Sequence, residues 1–260
     1  MSVSFLDSNI YKYGKTKDLE RTLKNLTLGF SKLEVLNDPF EAAYNYVHHF
    51  SSEERCQNYG GNNCNSDEAN FVKSIKKSVN NQLKNYVVTC FTRTPNEPLM
   101  WAHYAEDHTG VCYCFDETKL FKNREYRKND IQYSSQRAKL YYFEGSTTIA
   151  QLKSHLGDII CSKSDAWSYE KELRYYTETK NQAHEYEPNS LVAIILGYRM
   201  SYENIMAARG LVEKYNAENN EKVAIYYSRM SGGLYEMVVE ESLLTNEVTL
   251  FALNPQDNEI

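Results

Sequence analysis

Residues 98–116, PLMWAHYAEDHTGVCYCFD, join a helical pattern to a strand pattern. The first half predicts a turn followed by one or two helical turns, and Gly110 marks their end. The alternating second half predicts a strand over residues 111–115, in which Cys112 and Cys114 point to one buried face. A helix that leads so directly into a strand favours an α+β fold.

The rest of the chain extends this pattern in both directions. A near-continuous apolar run, YVVTCFT at residues 86–92, predicts a central strand. We expect a helix over residues 41–50, a mobile loop over residues 51–70 and a strand across WSYEKELRYYTE at residues 167–178. Because no internal repeat or linker divides the sequence, residues 1–260 are predicted to form a single α+β domain, with a central mixed, mostly antiparallel sheet flanked by helices.

The composition of the 260-residue chain is that of a globular protein, with 42% apolar and 25% charged residues. The formal net charge of −6 argues against a protein that grips a nucleic-acid backbone over its whole surface. No apolar run approaches the roughly 20 residues that span a bilayer, and the first residues lack the pattern of a secretory signal. We therefore expect a cytoplasmic protein with no membrane contact and with its cysteines as thiols.

The cysteine and histidine spacing does not predict a metal site. None of the six cysteines forms a CxxC pair, the spacing that structural zinc sites usually show. His103 and His108 lie five residues apart, which does not place them on one helical face, and an HExxH motif is absent. We expect no metal cofactor, and we expect Cys112 and Cys114 to be small buried side chains.

A pair of glutamates occurs within the predicted strand at residues 167–178. Strand parity places Glu170, Glu172 and Arg174 on one face and Tyr169 on the other. Such a face forms either a solvent-exposed surface with cross-strand ion pairs or, when it lines a cleft, a pair of carboxylates suited to catalysis. The sequence leaves both interpretations open.

Four blocks of sequence, at residues 10–41, 88–116, 167–176 and 191–197, resemble a known bacterial family in order and spacing, over about residues 11–239. The first three contain a specific combination of motifs, which are NDPFE at residues 37–41, LMWAHYA at residues 99–105 and YEKELR at residues 169–174. On these motifs the chain resembles the domain-of-unknown-function family 2971. Members of that family are similar to proteins encoded near phage-defence and abortive-infection genes, which implies a toxin or effector in anti-phage defence.

The layout of this family also resembles that of the ADP-ribosyltransferases. The resemblance implies an ADP-ribosyltransferase-like fold and an enzyme that cleaves NAD, its substrate, through an oxocarbenium-like state. Those enzymes carry a His or aromatic residue on an early strand, Ser or Thr on a short strand, and a catalytic Glu on a late strand. The corresponding positions are Tyr11 or Tyr13, then Ser31 or alternatively Thr89 and Thr92, and finally Glu172, with Glu170 completing an E-x-E.

The same chemistry suggests roles for further side chains. The candidate rings for holding nicotinamide and adenine are Tyr11, Tyr13, Trp101 and Tyr104. Arg174 is the candidate ligand of the pyrophosphate, with Arg93 as the alternative. His103 is the candidate general base, because an imidazole titrates near neutral pH. Alternatively, Trp101 and Tyr104 are core side chains at helical spacing.

Two other functions fit the sequence. One is a non-catalytic sensor module that binds a nucleotide or a phage component. The other is a metal-dependent nuclease that uses Asp38, Glu41, Glu170 and Glu172. For the enzyme, the acceptor of ADP-ribose stays open, with a phage or host protein or RNA as the expected class of target, and the sequence does not predict an oligomeric state.

Overall fold

The computed structural model describes residues 9–49, 64–122, 124–143 and 149–241. The helices of these residues are α1 (Leu19–Asn25), α2 (Cys64–Leu83), α3 (Pro98–Tyr104), α4 (Ile149–Ile160) and α5 (Tyr202–Asn219). Short 3-10 helices cover Thr16–Asp18, Leu33–Val35, Asp165–Glu170 and Pro188–Ser190. Within the described ranges, no helix has both the length and the apolar character that crossing a bilayer requires.

The strands of the described residues vary from two to seven residues in length. They are β1 (Asn9–Gly14), β2 (Thr27–Gly29), β3 (Ser31–Lys32), β4 (Tyr44–His49), β5 (Tyr86–Thr92), β6 (Val111–Asp116), β7 (Arg127–Asp130), β8 (Gln132–Ser134), β9 (Ala138–Phe143), β10 (Ser162–Ser164), β11 (Glu172–Glu178), β12 (Ala183–Glu185), β13 (Leu191–Leu196), β14 (Ala224–Met230) and β15 (Met237–Glu241).

Nine of the described strands form the central sheet. Their order is β15–β14–β13–β6–β1–β5–β11–β7, and β3 pairs with β5 beside this path. Neighbouring strands are antiparallel except β13 and β14, which are parallel. The predicted α+β class, with a mixed and mostly antiparallel sheet flanked by helices, is therefore confirmed.

One side of this sheet, the apolar face, buries a single large cluster of described side chains. Leu173 pairs with Phe91 across β11 and β5, and Ile10 pairs with Phe115 across β1 and β6. All four side chains belong to this cluster, together with residues of α1 and α5. The helices α1 and α5 therefore pack on the apolar face and contribute buried side chains to this cluster.

The opposite side, the divided face, carries two smaller apolar clusters. One contains Trp101 of α3 together with Cys112 and Cys114, and the other contains Leu156 of α4. The predicted burial of both cysteines is confirmed, because neither is exposed to solvent. The space between the two clusters is filled by polar and charged groups, which form the candidate site.

The segment at residues 98–116 folds as its pattern predicts. The helix α3 begins where the carboxylate of Glu97 accepts the N–H of Leu99, and Trp101 of α3 is completely buried. Gly110 is required by close packing, because a Cβ at this position would lie 2.4 Å from the carbonyl oxygen of Gly14. The turn that follows α3 therefore lies directly against the end of β1.

Three local predictions are wrong. Residues 44–49 form the strand β4 rather than a helix, and β4 pairs in parallel with β9, a partner too distant in sequence for the local pattern to reveal. Residues 64–70 belong to α2 rather than to a loop, while residues 51–63 lie outside the described residues. Residues 165–170 form a 3-10 helix, so the strand predicted from residue 167 begins only at Glu172.

Candidate functional site

A gap along one edge of β5 forms the candidate site. The strand β11 pairs with β5 along its whole length, so β1 and β3 share the other edge. On that edge β1 pairs at Thr92 only and β3 pairs at Val87 and Val88. Residues 89–91 lie between these two pairings and line a cavity of about 240 Å³. The cavity is thus a consequence of two short strands meeting one long strand.

Two glutamates and a lysine meet in this cavity. The Nζ of Lys163 lies 2.6 Å from Oε2 of Glu170 and 3.4 Å from Oε2 of Glu172. These three side chains are 3–5% exposed. The interpretation of the glutamates as a solvent-exposed charged surface is therefore wrong.

Arg174 ties Glu172 to a third carboxylate. Its Nε and Nη2 both lie 2.8 Å from Oε1 of Glu172, and its Nη1 and Nη2 donate to the two oxygens of Glu41 at 3.0 and 3.1 Å. Nη1 also donates to the backbone carbonyl of Ile160. The five N–H groups of a guanidinium are thereby all engaged. Arg174 is completely buried and has no donor left for a pyrophosphate, so its predicted role as a phosphate ligand is wrong.

Glu170 reaches the cavity through a turn rather than along a strand. The 3-10 helix Asp165–Glu170 ends at Lys171, which has a left-handed conformation with φ of 43°. The carbonyl of Lys171 accepts the N–H of Arg93, which fixes this turn against the end of β5. Strand parity does not apply across such a turn, and the turn itself brings Glu170 and Glu172 to one lysine.

The environment shifts the pKa values of the two glutamates in opposite directions. Burial acts to raise the pKa of Glu172, but the charges of Arg174 and Lys163 outweigh it and lower the pKa to about 2. Burial raises the pKa of Glu170 above its usual value, against the opposing charge of Lys163 and a hydrogen bond from Tyr104. Three carboxylates, those of Glu41, Glu170 and Glu172, lie within 4.0 Å of two cations, Lys163 and Arg174. One carboxylate of this group therefore lacks a full counter-charge within that distance.

Tyrosine rings form part of the cavity wall. Tyr11, Tyr13 and Tyr104 all line it, and the hydroxyl of Tyr104 donates to Oε1 of Glu170 at 2.6 Å. Tyr13 contacts the ring of Trp101 edge-on, with centroids 5.1 Å apart. These contacts fix the wall beside the carboxylates.

Two of the predicted site residues lie outside the cavity. Trp101 has no exposed surface, donates from Nε1 to the carbonyl of Pro95 at 2.7 Å and packs under Tyr13, so it cannot stack on a ligand. The interpretation of Trp101 as a core residue is confirmed. His103 is exposed on α3 and does not line the cavity. Ser31 of β3 does line it, beside the gap in β5.

The cavity contains groups that the sequence does not single out. Lys163, from the short strand β10, has no periodic signal around it. Lys12 lines the gap and donates to the carbonyl of Cys90 at 3.2 Å, and burial lowers its pKa. Thr89 also borders the cavity, but it pairs with Tyr175 of the apolar cluster, and strand alternation places its side chain on the apolar face.

The acidic residues are not arranged as a metal site. Among the described residues, no group of three or more His, Cys, Asp or Glu side chains has a geometry that could hold a metal ion. Glu41, Glu170 and Glu172 instead surround the cations of Lys163 and Arg174. Three of the four carboxylates of the nuclease alternative are therefore already paired with cations, and the fourth, Asp38, accepts the backbone N–H of Phe40.

Comparison with known proteins gives a match to part of the chain. Residues 100–175 match the family model described as Protein of unknown function (DUF2971). The chain resembles this family. The matched segment is less than a third of the chain and includes Lys163, Glu170, Glu172 and most of β11, but not β1 or Glu41. No curated protein and no solved structure matches the chain, so the ADP-ribosyltransferase-like layout stays a prediction.

Proposed function

We propose that this protein is an enzyme that cleaves the bond between nicotinamide and ribose in NAD and transfers the ADP-ribosyl group to an acceptor or to water. One observation carries the proposal. Glu170 and Glu172 converge on Lys163 inside one tyrosine-walled cavity, and their pKa values are shifted in opposite directions. Two carboxylates made different by their surroundings are the usual equipment for breaking a glycosidic bond.

The two glutamates take separate roles in this reaction. When the C1′–N bond breaks, its electron pair moves to the pyridinium nitrogen and neutral nicotinamide leaves. Glu172 stays ionised, because Arg174 and Lys163 hold it so, and it stabilises the positive charge that develops on the ribose. Glu170 has the raised pKa and accepts the proton of the attacking hydroxyl as the new bond forms.

The cavity suits the nicotinamide–ribose half of the dinucleotide. Its volume of about 240 Å³ is below the roughly 300–1,000 Å³ that sites for drug-sized ligands enclose. Tyr11, Tyr13 and Tyr104 supply rings for a flat pyridine. The remainder of the dinucleotide would extend beyond the cavity.

One observation favours a second function, a module that binds a nucleotide without reacting. Arg174 and Lys163 are paired with the carboxylates of Glu41, Glu170 and Glu172, and we call these five side chains the charged cluster. This pairing makes the charged cluster a structural element as well as a chemical one. A binding module of this kind would retain NAD in the cavity and release no nicotinamide. The two functions differ in product formation alone.

Nicotinamide release, measured by mass spectrometry, separates them. The wild type is expected to release nicotinamide from NAD, and Glu172→Gln is expected to lower kcat/KM about 10²–10³-fold through loss of charge stabilisation. Glu170→Gln is expected to lower it about 10²–10⁴-fold through loss of the proton acceptor. Glu117→Gln is the matched control, because Glu117 pairs with Arg93 and Lys128 outside the cavity.

Two results would contradict the enzymatic proposal. Undiminished activity of Glu172→Gln would show that the cavity is not the catalytic site. Binding of NAD without release of nicotinamide would favour the second function, the non-catalytic binding module. The predicted anti-phage or toxic role follows from consumption of a cellular cofactor. Arrested growth on expression of the wild type, but not of Glu172→Gln, is the result expected for that role.

A further inference from the structure

Three aromatic rings form a cluster beside the cavity, which we call the ring platform. It consists of His103, Trp167 and Tyr169. The centroid of His103 lies 6.5 Å from those of Trp167 and Tyr169, and the latter two are 6.1 Å apart. His103 is exposed, and Trp167 and Tyr169 are half-buried. The platform therefore presents ring surface to solvent, unlike Trp101 on the buried side of α3.

The ring platform is joined directly to the charged cluster. The Nζ of Lys163 lies 4.8 Å from the centroid of the Trp167 ring, and the same Nζ lies 2.6 Å from Glu170. Tyr169 precedes Glu170 in the 3-10 helix, and His103 precedes Tyr104, whose hydroxyl binds Glu170. Lys163, which lines the cavity, therefore also contacts the ring platform.

We infer that the ring platform binds the adenine base of the dinucleotide, while the cavity holds the nicotinamide–ribose half. This inference rests on the proposed function. A cavity of about 240 Å³ leaves most of a dinucleotide outside it, and the outer half needs a surface of its own. Exposed rings stack with bases, since every base has a flat π-face. Lys163, the cation over the Trp167 ring, is already engaged by Glu170, so the platform suits a base better than a phosphate.

Comparison of NAD with nicotinamide mononucleotide tests this inference, because the mononucleotide lacks the adenosine half. Trp167→Ala is expected to raise the KM for NAD about 5- to 150-fold, the range for loss of one base–aromatic stack, with little change in kcat. Its KM for nicotinamide mononucleotide should not rise in this way. Trp167→Phe keeps a ring over Lys163, and its KM for NAD should rise much less.

A second variant keeps the test independent of Lys163. His103→Ala removes a platform ring that does not line the cavity. We expect it to raise the KM for NAD but not the KM for nicotinamide mononucleotide. An equal rise in the KM for NAD and for nicotinamide mononucleotide in both variants, or no rise in either KM, would overturn the inference.

Failure of the proposed function would be visible separately. If the wild type cleaves neither substrate, that proposal falls, and calorimetric titration with AMP then tests the platform alone. AMP that binds the wild type and Trp167→Phe more tightly than Trp167→Ala supports the platform. AMP that does not bind, or that binds all three proteins equally, overturns it.

Discussion

The apolar face of the central sheet buries one continuous cluster, whereas the divided face buries five charged side chains between two smaller clusters. Two neighbours on β11 illustrate the contrast. Leu173 is 2% exposed on the apolar face, and Arg174 is completely buried among carboxylates on the divided face. Buried ion pairs seldom stabilise a protein more than well-packed apolar side chains would. The comparison therefore indicates that the apolar face contributes more to stability, and it is consistent with the proposal that the charges of the divided face serve chemistry.

Removal of Arg174 should produce the largest loss of stability. Among the described residues, Arg174→Met leaves Glu41 and Glu172 with Lys163 as their one cation within 4.0 Å, and we expect the free energy of unfolding in urea to fall by about 3–5 kcal/mol. The triple variant Glu41→Gln, Arg174→Met, Glu172→Gln should recover most of that loss, because no unpaired charge stays buried. A loss below about 1 kcal/mol for Arg174→Met would show that water reaches the cluster freely.

Truncation of the neighbouring leucine should cost nearly as much for a different reason. Leu173→Ala leaves a void in the apolar cluster, and we expect a loss of about 2–5 kcal/mol in the same urea titration. Since Leu173 faces away from the cavity, the folded variant should keep the KM of the wild type for NAD. A large rise in KM without unfolding would mean that the two faces are coupled.

The pH dependence of stability should reveal the opposite shifts of the two glutamates. The folded pKa of Glu172 is lowered from 4.5 to about 2, so it contributes roughly 3 kcal/mol above pH 4.5, and this is lost as the pH falls towards 2. The folded pKa of Glu170 is raised, so Glu170 destabilises the fold at neutral pH and this effect disappears as the pH falls through that pKa.

Unfolding titrations of two variants at several pH values check these signs. Glu172→Gln should flatten the loss of stability between pH 4.5 and 2, whereas Glu170→Gln should leave that slope in place. Identical acid profiles for the wild type and Glu172→Gln would contradict the shift assigned to Glu172.

An exposed ion network supplies the smallest expected effect. Arg93, which is 36% exposed, pairs with Glu117 and Asp130. We expect Arg93→Met to lower the free energy of unfolding by at most about 1 kcal/mol, because solvent screens such pairs. A loss as large as that of Arg174→Met would remove the distinction between buried and exposed networks on which the comparison depends.

The sequence predicts most of the sheet because its strands are marked by their own residues. The strands β5, β6 and β13 are apolar nearly throughout, and both sides of each are buried. The gap beside residues 89–91 is not predictable in this way. It arises because β1 and β3, which are separated along the chain, share one edge of β5.

The candidate site is predictable only in part, because some of its residues belong to recognisable motifs and others are brought in by tertiary contacts. The structure brings Tyr11, Tyr13, Ser31, Tyr104, Glu170, Glu172 and Arg174 to one cavity. Lys163 is missed, because its role depends on the turn at Lys171 and on no local pattern. Arg174 is assigned the wrong role, because the sequence does not show that Glu41 already binds it. The signal that exists for Glu41 is its place in the NDPFE motif.

The most direct test of the central claim is a carboxyl-carbon NMR titration of the protein with labelled glutamate, assigned with Glu170→Gln and Glu172→Gln. We expect the Glu172 signal to titrate near pH 2 and the Glu170 signal to titrate above the usual 4.5, and we expect NAD to shift both signals. Two signals that titrate together near 4.5 and do not respond to NAD would contradict the account of this cavity as the place where NAD is cleaved.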